Sequence, residues 1–175
     1  MAPRPTRIIL TGFMGTGKTA VGTILADKLG YVFLDTDAMV EKDAGTPIAE
    51  IFEKQGEAKF REVETKMLRK ALDKEKIVIS TGGGSVIDPD NRSLMKQKGV
   101  VIALTASPEI IYQRISKVEN RPLLKTKDVL GKIKTLISHR SEFYREADHI
   151  IDTTSHLLEQ TVDEILKVIR APHTR

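Results

Sequence analysis

Two kinds of apolar run alternate along the chain. Ile8-Ile9-Leu10-Thr11, Tyr31-Val32-Phe33-Leu34, Ile77-Val78-Ile79-Ser80, Val100 to Leu104 and His149-Ile150-Ile151-Asp152 are short and rich in β-branched residues, the pattern of strands covered on both faces. Between them apolar residues recur three and four apart, which gathers them on one face of a helix. Val21, Leu25 and Leu29 form the first stripe, and Gly30 stops it. Ala38 to Lys42 reads as a short helix closed by Asp43-Ala44-Gly45; Thr46 then caps another, with Pro47 in its first turn and Gly56 as its stop. Glu57 to Leu72 turns Phe60, Val63, Met67, Leu68 and Ala71 inward. Asp88-Pro89 and Ser107-Pro108 open two further helices, the second burying Ile111, Tyr112 and Ile115. A helix over Val129 to Ala147 follows, and Ser155 caps a last one with Leu158, Val162, Ile165, Leu166 and Ile169 inward. Strands that alternate with helices predict an α/β domain on a parallel sheet.

The first strand runs into Gly12-Phe13-Met14-Gly15-Thr16-Gly17-Lys18-Thr19, which fits G-x-x-x-x-G-K-[ST] in the order strand, glycine turn, helix. Backbone N–H groups wrap a polyphosphate only where no Cβ intervenes and φ is free, hence Gly12, Gly15 and Gly17. The helix behind adds its N-terminal donors and positive dipole end. Lys18 can reach the β- and γ-phosphates, and the Thr19 hydroxyl the Mg²⁺ shell.

Other chemistry-bearing residues stand at strand ends or interrupt helical stripes. In an extended segment Asp35 and Asp37 share a face and could serve one metal–substrate centre; alternatively Asp37 caps the helix from Ala38. The third strand lacks the acidic end that directs Mg²⁺ in many phosphate-loop ATPases, and the apolar-run-then-Asp pattern occurs at Asp35 instead. Arg61 and Glu64, at i and i+3, form either an exposed ion pair or part of a site. Gly82-Gly83-Gly84 after the third strand favours close approach of a ligand to backbone over a loose loop. Arg140 falls where the stripe Ile133, Ile137, Tyr144 calls for an apolar side chain. It either snorkels to the core's edge or faces a partly enclosed anion site. The proline-broken segment Glu119 to Asp128 is either a solvated basic loop or one that closes over an anion through Arg121.

Composition narrows the classes. The length of 175 residues suits one domain, and 40% hydrophobic with 30% charged residues describes a soluble chain without a run long enough to span a membrane. Met1-Ala2-Pro3-Arg4-Pro5 lacks the apolar core of a signal peptide, so a cytoplasmic location is expected. Without cysteine there is no disulfide, thiolate metal site or Cys nucleophile, and the four histidines show no ligand spacing. The net charge of +4 is scattered, with no Trp and no aromatic–basic interleaving, which disfavours nucleic acid and suits small anions. Nothing in the pattern demands more than a monomer.

Gly12 to Thr19, Asp35-Thr36-Asp37, Phe60-Arg61-Glu62-Val63-Glu64, Gly82-Gly83-Gly84, Arg121-Pro122-Leu123-Leu124 and His139-Arg140-Ser141-Glu142-Phe143-Tyr144, in this order and spacing, resemble the shikimate kinases of aromatic amino-acid biosynthesis. The likeness covers roughly Arg7 to Ile169. It implies a three-layer α/β/α phosphate-loop kinase fold with a five-stranded parallel sheet of order 2-3-1-4-5. It further implies one domain over 1–175, with a substrate-binding segment at about 35–64 and a lid at about 116–128. The implied reaction moves the γ-phosphoryl group of ATP to the 3-hydroxyl of shikimate with Mg²⁺. Carried over by position, Lys18, Asp37 and Arg121 are catalytic, and Gly12, Gly15, Thr16, Gly17, Lys18, Thr19 and Ala20 hold ATP, with Arg114 over adenine and Arg121 arriving with the lid. Thr19 binds Mg²⁺ directly and Asp35 through water. Asp37, Arg61, Glu64, Gly82, Gly83, Gly84 and Arg140 bind shikimate, the two arginines on its carboxylate and Glu64 orienting Arg61. A gluconate or nucleoside-monophosphate kinase would share the first loop, so Arg61, Arg140 and the triple glycine discriminate. The lack of an Asn-Lys-x-Asp motif argues against a GTPase switch.

Overall fold

In the computed structural model, which describes residues 4–116 and 127–170, the five apolar runs are strands of one parallel sheet. They are β1 (Arg7–Thr11), β2 (Val32–Asp35), β3 (Ile77–Ser80), β4 (Val100–Thr105) and β5 (His149–Asp152), in the order β2-β3-β1-β4-β5 expected from the sequence. The helices are α1 (Lys18–Leu29), α2 (Thr36–Ala44), α3 (Ile48–Leu72), α4 (Pro89–Lys98), α5 (Pro108–Ile115), α6 (Val129–Arg145) and α7 (Leu158–Val168), and a 3₁₀ turn spans Ser85–Ile87. None of the described helices is long and apolar enough to cross a membrane.

Strand alternation explains why the central runs are apolar throughout. Ile8 and Leu10 of β1, with Val78, Ile102 and Leu104, pack under Val21 and Leu25 of α1 and Val162 and Ile165 of α7. Ile9, with Ile77, Ile79, Val101 and Ala103, packs under α3, α4, α5 and α6 through Leu68, Met95, Ile111 and Ile133. Each fully buried Ile or Leu contributes about 1.5–3 kcal/mol, so both faces of β1 hold the sheet. Val40, Ile51, Phe60 and Met67 join α2 to α3 in a smaller cluster.

Several boundaries differ from expectation, each for a local reason. Asp35 belongs to β2, opposite Ser80, and is itself the N-cap of α2, its Oδ1 accepting from the N–H of Asp37 (3.0 Å) and Ala38 (3.4 Å). Asp37 is therefore neither the cap nor in one extended segment with Asp35. Thr46 does not cap α3: its hydroxyl bonds Glu50, and the Glu41 carboxylate meets the N–H of Ile48 at 3.0 Å. Gly56, at φ 82° and ψ 170°, is non-helical and breaks α3 at a kink, where the sequence expects one helix to stop and the next to begin. Tyr112 is 41% exposed, not inward. The N–H of Leu157 is met by Gln160 at 2.8 Å and α7 starts at Leu158, so Ser155 is not the cap. Most of the expected lid, including Arg121, lies outside the described residues.

Candidate active site

The turn between β1 and α1 has the backbone that its glycines predict. Gly12, Gly15 and Gly17 have φ of 137°, 79° and 97°, conformations that L side chains rarely adopt, and a Cβ at Gly15 would sit 2.8 Å from Ile115. Gly17 is the N-cap of α1, and among the described residues no side chain caps the helix and no acid stands in its first turn. The donors of Lys18, Thr19 and Ala20 and the positive helix end thus serve the loop, an anion cradle by construction. Lys18, 9% exposed, arches back and donates Nζ to the carbonyls of Gly12 (2.8 Å) and Phe13 (3.0 Å). Thr16 stiffens the same turn, its Oγ1 donating to the Phe13 carbonyl at 2.8 Å. Arg114, near the end of α5, donates to the carbonyls of Gly15 (3.2 Å) and Thr153 (2.7 Å), bracing the loop against the chain after β5.

The two acids after β2 divide their work. Asp35 Oδ2 accepts from the Thr19 hydroxyl at 3.0 Å while its other oxygen caps α2. Asp37, in the first turn of α2, instead lines a cavity of about 760 Å³ walled by Met14, Phe52, Phe60, Arg61, Glu64, Arg140 and the three glycines. A Cβ at Gly82 would sit 2.8 Å from Asp37 Oδ1, so the carboxylate lies directly against that turn.

At the cavity floor charge is buried. Glu64, 1% exposed, accepts from Arg61 Nη1 at 2.8 Å and from Ser85 Oγ at 2.7 Å. Arg61 also reaches Glu57 and lies 5.0 Å over the Phe60 ring. Burial would lower the Arg61 pKa, but Glu64 and Glu57 outweigh it and raise the pKa above the ordinary arginine value. The pair seen in the sequence is therefore half interior, not a surface ion pair. Arg140 of α6 is 7% exposed, lies 5.8 Å over Phe13, and has no carboxylate ion pair among the described residues. Arg140 thus lines the cavity instead of snorkelling out to the edge of the core. One helical turn on, Tyr144 donates to the Gly83 carbonyl at 2.6 Å, and burial pushes its pKa up to about 12, so it stays a neutral donor.

The three glycines have three different causes. A Cβ at Gly82 would collide with Glu64, and one at Gly84 would sit 2.5 Å from Arg61 Nη1 and 2.7 Å from its Cζ. At Gly83 it would lie 3.4 Å from the Gly12 carbonyl and 3.5 Å from the Met14 nitrogen, so this turn abuts the phosphate loop. Cavity and cradle are thus neighbours sharing Met14. Sequence reasoning passed over Ser85, Thr36, whose hydroxyl accepts from the N–H of Gly82 at 3.1 Å, and Thr153, whose Oγ1 accepts from Arg114 Nη1 at 3.1 Å. The first two stand beside singled-out motifs, after the triple glycine and between the two acids, and that adjacency was the available signal.

A model of the family described as shikimate kinase matches residues 14–170. A shikimate kinase of Pelotomaculum thermopropionicum is 48% identical over 93% of this chain and 95% of its own length. One of Caldanaerobacter subterraneus subsp. tengcongensis is 46% identical over 91% and 94%. Among solved structures, shikimate kinase from Acinetobacter baumannii in complex with shikimate superposes with a TM-score of 0.91 at 38% identity, covering 94% of this chain and 93% of that one. A phosphate cradle beside a cavity floored by two guanidinium groups, together with these matches over nearly the whole chain, leads to one conclusion: this chain belongs to the shikimate kinase family.

Proposed function

We infer that the protein transfers the γ-phosphoryl group of ATP to the 3-hydroxyl of shikimate, giving shikimate 3-phosphate and ADP. The observation that carries this reading is Arg140, a guanidinium 7% exposed, without a carboxylate ion pair among the described residues and facing a cavity that Arg61 also lines. A buried cation without a counter-charge costs several kcal/mol, and an anionic ligand removes that cost. Arg61 is paired with buried Glu64 and exposed Glu57, so the positive charge left for one ligand carboxylate is that of Arg140, and two planar forks suit its geometry.

Binding the carboxylate at the floor leaves the ring against Gly82 to Gly84 and Asp37, toward the phosphate cradle. Asp37 accepts a hydrogen bond from the reacting hydroxyl and aims its oxygen; the amides from Gly12 to Ala20 and the Lys18 ammonium hold the phosphates in line. A loose transition state needs chiefly this alignment and neutralisation of charge. Thr19 and Asp35 present two hard oxygens 3.0 Å apart at the start of α1, a donor set that fits Mg²⁺ held jointly with a nucleotide. Mg²⁺ bound there would neutralise charge on the phosphates. Arg114, held against the loop by the carbonyls of Gly15 and Thr153, would border the base, and the family resemblance assigns Arg121, outside the described residues, to the phosphates.

Turnover of the purified protein with ATP and Mg²⁺, measured separately against shikimate, gluconate and AMP, tests this. Phosphorylation of shikimate alone is expected. Preference for gluconate or AMP overturns the substrate assignment, and no transfer to any acceptor overturns the reaction.

A further inference from the structure

We propose that the Ser85 hydroxyl is a positioning group for substrate binding, acting through Glu64 on Arg61; the assignment rests on the reading of the cavity floor as the carboxylate site. Arg61 has two acidic partners of unequal firmness. Glu57 is 62% exposed at its side chain, so that contact is screened and mobile. Glu64, with 1% of its side chain exposed, is the partner that can fix the guanidinium plane.

A carboxylate has several acceptor sites, and one hydrogen bond from Arg61 to Oε2 leaves the group free to turn about its last torsion. Ser85 removes that freedom. Its Oγ donates to Oε1 at 2.7 Å from the side opposite Arg61, and Ser85 is itself 1% exposed. The serine is in turn anchored. Its N–H donates to the Gly82 carbonyl at 3.1 Å, and buried Asn91 donates Nδ2 to the Ser85 carbonyl at 3.2 Å and to Thr65 Oγ1 at 3.1 Å. Thr65 neighbours Glu64 on α3, so the serine and the glutamate are tied to one another by backbone as well as by side chain. The chain Asn91–Ser85–Glu64–Arg61 therefore transmits the position of the 3₁₀ turn to the guanidinium. Alanine would leave a void of only one oxygen atom, yet would also leave a buried carboxylate one donor short; the site needs an O–H.

The test is a double-mutant cycle on Ser85→Ala and Glu64→Gln, read by steady-state kinetics with shikimate and ATP varied separately and by thermal unfolding. In the wild-type background Ser85→Ala raises the shikimate KM about tenfold, the size of one hydrogen bond to a charged group, with the ATP KM within about twofold. In the Glu64→Gln background the same substitution has less than about a third of that effect on the shikimate KM, because the group it acts through has changed. Ser85→Cys, somewhat larger but keeping a weak donor at the same place, recovers part of the loss and serves should the alanine variant fold poorly. An equal effect in both backgrounds, or a rise in both KM values together with a lower unfolding temperature, assigns Ser85 to packing and overturns the proposal. An unchanged shikimate KM in Ser85→Ala overturns it while the functional reading stands; wild-type protein that does not phosphorylate shikimate overturns both.

Discussion

Gly84→Ala separates the requirements of the fold from those of the site. Gly84 lies at φ −100° and ψ −6°, where alanine is at ease, so the backbone does not resist it. The added Cβ would stand 2.5 Å from Arg61 Nη1 and 2.7 Å from Cζ. Carbon and nitrogen at rest stay roughly 3.5 Å apart, so the guanidinium must retreat by about 1 Å. The atom displaced is the end of a flexible side chain, and the fold accommodates it: alanine also stabilises by about 0.4–1 kcal/mol through the unfolded chain, and Tm moves by no more than about 5 °C. The substrate is less forgiving. Losing a charge-assisted hydrogen bond costs about 1.5–3 kcal/mol, which is roughly 10- to 150-fold in affinity. In an assay coupled to ADP release, the shikimate KM should rise within that range while the ATP KM stays within about twofold. A shikimate KM within twofold of wild type, in a variant that unfolds at the usual temperature, would refute the placement of Arg61 at the carboxylate.

Three further outcomes follow from the same geometry. Arg140→Ala should lose shikimate binding by at least about 100-fold while calorimetry finds ATP binding retained, since truncating one member of a buried charge contact costs about 3 kcal/mol or more; unchanged affinity in the folded variant would remove Arg140 from the site. Lys18→Ala should abolish phosphoryl transfer, and near-normal turnover would count against the cradle as the reacting centre. Tyr144 ionises near pH 12 in the folded protein against about 10 when unfolded, so its stabilising share is full below pH 10 and disappears as pH rises through 12. Relative to Tyr144→Phe, which does not titrate, wild type should lose about 2–3 kcal/mol of stability in urea between pH 10 and 12, whereas a constant difference would rule out burial of the neutral phenol as the cause.

What the sequence discloses and what it hides follow from how local each signal is. The phosphate loop is a contiguous run of eight residues, so spacing alone marks Lys18 as belonging to the loop, and the fold adds that its ammonium meets the Gly12 carbonyl. The sheet order was reached through resemblance; strand sequence by itself says that Ile8 to Thr11 is covered on both faces, not which strands cover it. Helix starts were missed where the cap lies outside the expected polar residue. Thr46 is taken up by Glu50, and Asp35 caps α2 from within a strand, so propensity pointed at the wrong member of each pair. Arg140 was legible as an anomaly because a helical stripe has a period to violate. Ser85 and Asn91 break no pattern; apart from the place of Ser85 directly after the triple glycine, their contacts appear only once α3, the 3₁₀ turn and α4 are brought together.

The triple glycine shows that one inference from sequence can have more than one cause. Three glycines after a buried strand imply that something comes close to the backbone, and a ligand is the natural candidate. In the fold, the space beside Gly82 is taken by the Glu64 carboxylate and that beside Gly84 by the Arg61 guanidinium, both groups of the protein itself. Only Gly83 has ordinary contact distances around it, to the phosphate loop and to Arg140, and its carbonyl is already held by Tyr144. Two of the three positions are thus glycine so that an ion pair can be packed against main chain, out of water and at a fixed distance from the cradle. Pre-placing the charges in this way is what lets a small site align two reactants without rearranging, because orientation that is set during folding does not have to be set again when substrate binds.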